Sequence, residues 1–169
     1  MDRSGRHPIF SLLGLLTASY ALCMIASEGA LRGLAGWYMA IERPKWSLHP
    51  SLYSPLWTVL FGLSGFAAWR LLRQDNEQKT VTLVLLAVTL GLSALWPWLF
   101  FDLQLTFASV IVSGALCFTS LLACGLSFRV SRTAGWLLTP LLLWTLFATA
   151  TNIEIWRLNT SQQPTKSAK

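Results

Sequence analysis

The chain reads as an all-α membrane protein, a bundle of five transmembrane helices with a long ordered loop between the first two. Three observations predict this. First, 54% of the 169 residues are hydrophobic and only 12% are charged, whereas a soluble domain carries about 25% charged residues. Second, the apolar residues come in five long runs of eighteen to twenty-six, and about 20 residues cover the hydrocarbon core of a bilayer. Third, lipid leaves a backbone only helices or closed barrels in which to satisfy its hydrogen bonds, and runs this long exclude the barrel.

The elements follow in order. Residues 1–8 are polar and basic, with Arg3, Arg6 and His7, and the first span covers about 9–26. A basic start and small residues at Ala18 to Ala21 also suit a cleaved signal peptide, but the run is long for one and four spans follow. Residues 27–51 form the longest gap. A connection of about 25 residues is long for a compact bundle, and its aromatics, Trp37, Tyr38 and Trp46, argue against disorder. The loop is expected to fold back on the bundle.

The second span, about 52–72, opens at Pro55, a residue tolerated in a first helical turn. It carries Gly62, Ser64, Gly65, Ala67 and Ala68, small residues that allow close helix approach. After the polar turn RQDNEQK, the third span covers about 80–101 and is interrupted near its end by Trp96-Pro97-Trp98. The fourth covers about 103–128 and the fifth about 133–156, so that residues 1–158 form one domain and 159–169 a polar tail expected to be disordered. The short later gaps make neighbouring helices antiparallel.

Formal net charge is +6, but Lys and Arg lie between the apolar runs, as at span edges, rather than on one basic face. No nucleic-acid partner is expected. The tails and gaps on one side of the five spans hold seven Lys and Arg and those on the other hold six, a balance that sets no orientation under the positive-inside rule. The cytoplasmic, outer and organellar membranes all remain as hosts, with a bacterial cell membrane the expected one. Cys23, Cys117 and Cys124 fall inside spans and read as packing residues, an odd number that makes no disulfide framework. There is no phosphate loop, nucleophile elbow or carboxylate pair within a span, and neither histidine has a partner at metal-ligand spacing. No metal site and no required cofactor are expected.

The nine tryptophans divide into two groups. Trp69, Trp136 and Trp156 lie at span ends beside Arg70, Arg132 and Arg157 and read as interfacial anchors. Trp57 and Trp144 lie inside spans among small or polar neighbours. A buried indole N–H needs an acceptor, which is either a neighbouring Thr or carbonyl in plain helix packing, or a ligand. Polar residues inside spans also mark function. Thr89, Ser93, Thr149 and Thr151 can bond their own helix, and Asn152 either bridges two helices or touches a ligand. Glu154 and Arg157, three apart, read as an interfacial ion pair.

At these residues the chain resembles the TspO/MBR family, the tryptophan-rich sensory or translocator proteins. The first match is Trp37, Tyr38, Ile41, Arg43, Pro44 and Trp46, continuing through Pro55, Trp57, Thr58, Leu60 and Phe61 to Gly65, Ala68 and Trp69. The second is Trp96, Phe100 and Phe101. The third runs through the last span as Pro140, Leu142, Trp144, Phe147, Ala148, Thr149, Asn152, Ile155, Trp156, Arg157 and Asn159.

The resemblance implies a five-helix bundle, commonly a homodimer, with a pocket between helices capped by the first loop. The small-residue face of the second span is one contact available to such a dimer. The implied ligands are porphyrins or haem, cholesterol-like lipids and synthetic aromatics. The implied pocket is walled by Trp57 and Trp144, with Tyr38, Phe61, Phe100 and Ala148 nearby. Its lid is the loop carrying Trp37, Pro44, Trp46 and His49. Flat aromatic walls suit a tetrapyrrole. The chain departs from the family pattern where Ser93 replaces the usual Asn and Thr89 the usual Gln, and it lacks the Tyr near Ile153 of the animal sterol pattern. The expected function is a membrane receptor, sensor or carrier of a flat hydrophobic ligand. The alternatives are an enzyme degrading porphyrin through Trp57 and Trp144, and a structural or assembly protein.

Overall fold

The structure is a computed structural model and describes residues 8–160. Five long helices cross the molecule: α1 (Pro8–Leu34), α3 (Tyr53–Leu72), α4 (Lys79–Pro97), α5 (Thr106–Val130) and α6 (Arg132–Thr160). A single-turn helix, α2 (Trp37–Ala40), and a 3₁₀ turn at Pro50–Leu52 lie between α1 and α3. Each long helix is sufficiently long and apolar to span a bilayer. They close into a ring in the order α1, α3, α6, α5, α4, with α3 also touching α4 across the middle. The protein is thus a multi-pass integral membrane protein. The basic start with His7 and the tail from Ser161 lie outside the described residues.

The first helix runs to Leu34 rather than ending near residue 26, so the ordered connection is shorter than the composition suggests. Glu28 and Arg32 read as loop residues, yet they are one turn apart and pair at 3.6 Å along α1. The glycines beside them answer to tertiary packing. A Cβ on Gly33 would stand 1.9 Å from the carbonyl oxygen of Phe101, and one on Gly29 would stand 2.8 Å from the Trp98 ring. Only glycine allows α1 to come this close.

What it meets there is a π-helical turn, Trp98–Asp102, in which Leu103 N–H donates to Trp98 O at 2.8 Å. The third span therefore breaks at Pro97, which has no N–H to give. The chain turns into α5 through Gln104 at φ 56°, in the left-handed region that few non-glycine residues adopt. The Trp98 indole donates to Ile25 O at 2.9 Å, and Arg32 lies over its ring.

The small residues of α3 face inward. A Cβ on Gly62 would meet the Tyr20 hydroxyl at 2.6 Å and one on Gly65 would meet Leu16 at 3.1 Å, while Ser64 and Ala67 are fully buried. Ser19 Oγ donates to Phe61 O at 2.6 Å across the same seam. Gly62 and Gly65 of this face therefore pack against α1 of their own chain.

α5 and α6 share the most extensive interface, along a serine row on α5. Asn152 accepts from Ser109 Oγ and donates to Ser113 Oγ, both at 3.3 Å. Thr149 Oγ1 donates to Ser113 O at 2.9 Å, and Ser120 and Thr145 share a hydroxyl hydrogen bond at 2.8 Å. Of its two readings, Asn152 follows the helix-bridging one. The last helix extends to Thr160, past the expected end at 156, and on its last turn Asn159 Nδ2 donates to Ile155 O at 2.7 Å. The Glu154–Arg157 pair forms at 3.1 Å.

Candidate functional site

The first loop folds onto one end of the bundle, and aromatic contacts hold it there. Trp37 packs edge-on against Phe100 with centroids 5.4 Å apart, and Trp46 packs against Phe147 at 5.7 Å. Tyr38 is 2% exposed and touches Phe100, Phe101 and Tyr53. Pro44 is buried beneath the loop, whereas His49 is exposed and caps the turn Pro50–Leu52 by accepting from Ser51 N–H.

Under the loop the rings continue as a belt. Phe147 stacks on Trp144 at 5.4 Å, Trp144 meets Tyr53 at 5.6 Å, and Tyr38 and Tyr53 bring their hydroxyls to 3.4 Å. The Trp57 and Trp144 indoles touch, with centroids 6.1 Å apart and planes at 88°. The hollow therefore does not lie between these two rings.

It lies on the far side of Trp57, between α1, α3 and α4. This cavity measures about 130 Å³. Trp57, Tyr53 and Ser54 wall it from α3, and Trp96, Pro97 and Phe101 from the α4 end. Cys23, Ala26, Ser27, Ala30 and Leu34 supply the α1 wall. Beyond Tyr53, Trp96 and Phe101, which act as a partition, a void of about 10 Å³ lies among Tyr38, Phe100 and Ala148, room for about one water.

The sequence-predicted residues thus separate. Trp57 faces the cavity. Tyr38, Phe100 and Ala148 surround the small void. Phe61 is buried in the core against Trp57, and Trp144 packs behind it. Ser93 is 1% exposed, donates to Thr89 O at 2.8 Å and lines neither hollow. The α1 wall went unnoticed because α1 was expected to end at residue 26. Its signal is present in the sequence: Cys23, Ala26, Ser27, Ala30 and Leu34 recur at helical spacing along one face.

Two indole N–H groups, of Trp96 and Trp144, are buried with no protein acceptor, although each ring is only 7% exposed. Trp96 lies flat on Phe100, with centroids 5.1 Å apart and planes at 13°, and borders both hollows. Buried donors are nearly always satisfied; of these two rings, Trp96 lines the hollows and Trp144 lines neither.

Fold and site together define a five-span membrane protein with an aromatic hollow between α1, α3 and α4, whose walls include none of the expected lid residues Trp37, Pro44, Trp46 and His49. The TspO/MBR family model matches residues 12–157, and the chain belongs to that family. It is 31% identical to the tryptophan-rich protein TspO of Archaeoglobus fulgidus over 154 residues, covering 89% of this chain and 98% of the relative. It is 30% identical to the human translocator protein over 159 residues, covering 90% and 92%. It is 28% identical to the tryptophan-rich sensory protein of Cereibacter sphaeroides over 134 residues, covering 79% and 84%.

Proposed function

We propose that the protein is a membrane receptor or carrier for a flat hydrophobic ligand of the tetrapyrrole class. The observation that carries this is the apolar cavity of about 130 Å³ beside Trp57, flanked by a Trp96 indole N–H that no protein atom accepts. Aromatic faces supply stacking area, and the orphan donor suits a ring nitrogen or carbonyl.

Size adds a requirement. Sites for molecules of this kind are roughly 300–1,000 Å³, so the cavity holds part of a macrocycle rather than all of it. An adjoining groove of about 300 Å³ shares Leu31 and Leu34 as walls and can take the remainder. The ligand on this reading straddles both.

The test is a titration of the purified protein with protoporphyrin, read by tryptophan fluorescence. Saturable quenching is expected, and Trp57→Phe should raise Kd about three- to tenfold, the weight of one aromatic contact. Absence of saturable quenching by any porphyrin rejects the reading.

A further inference from the structure

We infer that the ligand carries an acidic group, and that its carboxylate is received outside the apolar cavity by Arg43 and His49 of the first loop. This rests on the receptor reading above and adds the ligand's polar end. Three hollows adjoin in a row. The cavity beside Trp57 shares Leu31 and Leu34 with the groove next to it. That groove shares His49 and Pro50 with an open basin of about 410 Å³ whose polar walls are Arg43, Ser47 and His49. The surroundings pass from apolar at span depth to polar at the loop, the profile of an amphiphile with its charged end in water.

Arg43 is the cation available to such a group. Arg32 and Arg157 stand within 4.0 Å of Glu28 and Glu154 respectively, but Arg43 has no carboxylate within that distance among the described residues. It is held in place by the face of the Tyr38 ring, 5.2 Å from the guanidinium, and by Met39 Sδ at 4.0 Å. No acidic side chain walls the basin. A guanidinium placed on an aromatic face, with no carboxylate partner and only a long contact from Nη1 to the Met39 sulfur, is suited to a carboxylate.

His49 adds a directed donor. Its Nδ1 accepts from the Ser51 N–H at 3.4 Å and lies 2.8 Å from Ser51 Oγ. An Nδ1 engaged as acceptor leaves the proton of the neutral ring on Nε2, as a second donor at the junction of groove and basin. The Tyr38 ring under Arg43 reaches Tyr53, a wall of the inner cavity, through their hydroxyls. The two ends of the site are thus mechanically joined.

The experiment compares protoporphyrin IX with its dimethyl ester, the same macrocycle without charge, in nanodiscs of zwitterionic lipid. Wild type should prefer the acid by about five- to tenfold, the weight of a partly exposed charged pair. In Arg43→Gln the acid-to-ester ratio should fall towards one, and Arg43→Lys should restore part of it. The change in this ratio from wild type to variant cancels the different partitioning of acid and ester into lipid, since both proteins sit in nanodiscs of the same composition. Equal binding of acid and ester by wild type, or a preference that survives both Arg43→Gln and His49→Gln, overturns this inference and leaves the receptor reading standing. Binding of neither compound sinks the receptor reading itself. Loss of the preference on adding anionic phospholipid would assign the basin to a lipid headgroup, which also overturns the ligand's own carboxylate as its occupant.

Discussion

The side-chain amide of Asn159, on the last turn of α6, pairs with the main chain of Glu42 in both directions: Nδ2 donates to Glu42 O at 3.0 Å and Oδ1 accepts from Glu42 N–H at 3.1 Å. The amide does what a neighbouring strand would do. It fixes the loop one residue before Arg43, across 117 positions of sequence. Two hydrogen bonds of about 1 kcal/mol each hold the loop against a helix end that is itself rigid. Asn159→Ala should therefore raise the rate of tryptic cleavage at Lys45 by about ten- to thirtyfold while the spans stay intact. An unchanged rate would mean that the aromatic contacts of Trp37 and Trp46 suffice.

The seam between α1 and the π turn makes a second prediction, with an internal ranking. At Gly33 the obstacle to a Cβ is the Phe101 backbone at 1.9 Å, while at Gly29 it is the Trp98 side chain at 2.8 Å. Backbone cannot swing aside as a ring can. Gly33→Ala should cost about 1–3 kcal/mol or more by overpacking, and Gly29→Ala distinctly less. Gly91→Ala, with nothing within 4 Å, should be neutral or slightly stabilising, since alanine favours a helix over glycine. Thermal unfolding in one detergent orders the three.

Asn152 is buried, yet its removal should be mild. Its partners Ser109 and Ser113 also lie within hydrogen-bond reach of Thr106 O at 2.7 Å and Val110 O at 2.9 Å, so they are not left unsatisfied. Asn152→Leu should cost about 0.5–1.5 kcal/mol, the range for side-chain hydrogen bonds between membrane helices. A loss of several kcal/mol in the same unfolding assay would show that the small void beside it has a polar role.

Cys23 offers a chemical readout of the cavity. It is 7% exposed and lines the hollow, whereas Cys117 is half-buried on α5, outside its walls. With protoporphyrin bound, alkylation of Cys23 by N-ethylmaleimide should slow about tenfold while Cys117 reacts at its original rate, both followed by mass spectrometry. Equal rates at Cys23 with and without porphyrin would place any bound ring elsewhere.

Much of this was legible in one dimension. Apolar runs separated by charged turns specify five spans, because transfer into lipid depends on the summed hydropathy of about 20 residues. Glu154 and Arg157 could be paired by their spacing, and the Trp-rich loop could be expected to fold inward. The α1 extension was obscured because Glu28, Gly29, Arg32 and Gly33 look like loop residues until the π turn they pack against is known. Trp57 and Trp144 could be recognised as internal, but not that they touch one another and leave the hollow on the other side of Trp57.

The sequence by itself determined the class, the number of spans and the aromatic inventory, since these follow from local composition and periodicity. The tertiary structure alone decided where the cavity lies, which helix Gly62 and Gly65 pack against, and how Asn159 pins Glu42. Those outcomes depend on which side chains meet across dozens of residues, and close packing selects among such meetings only when all five helices are in place.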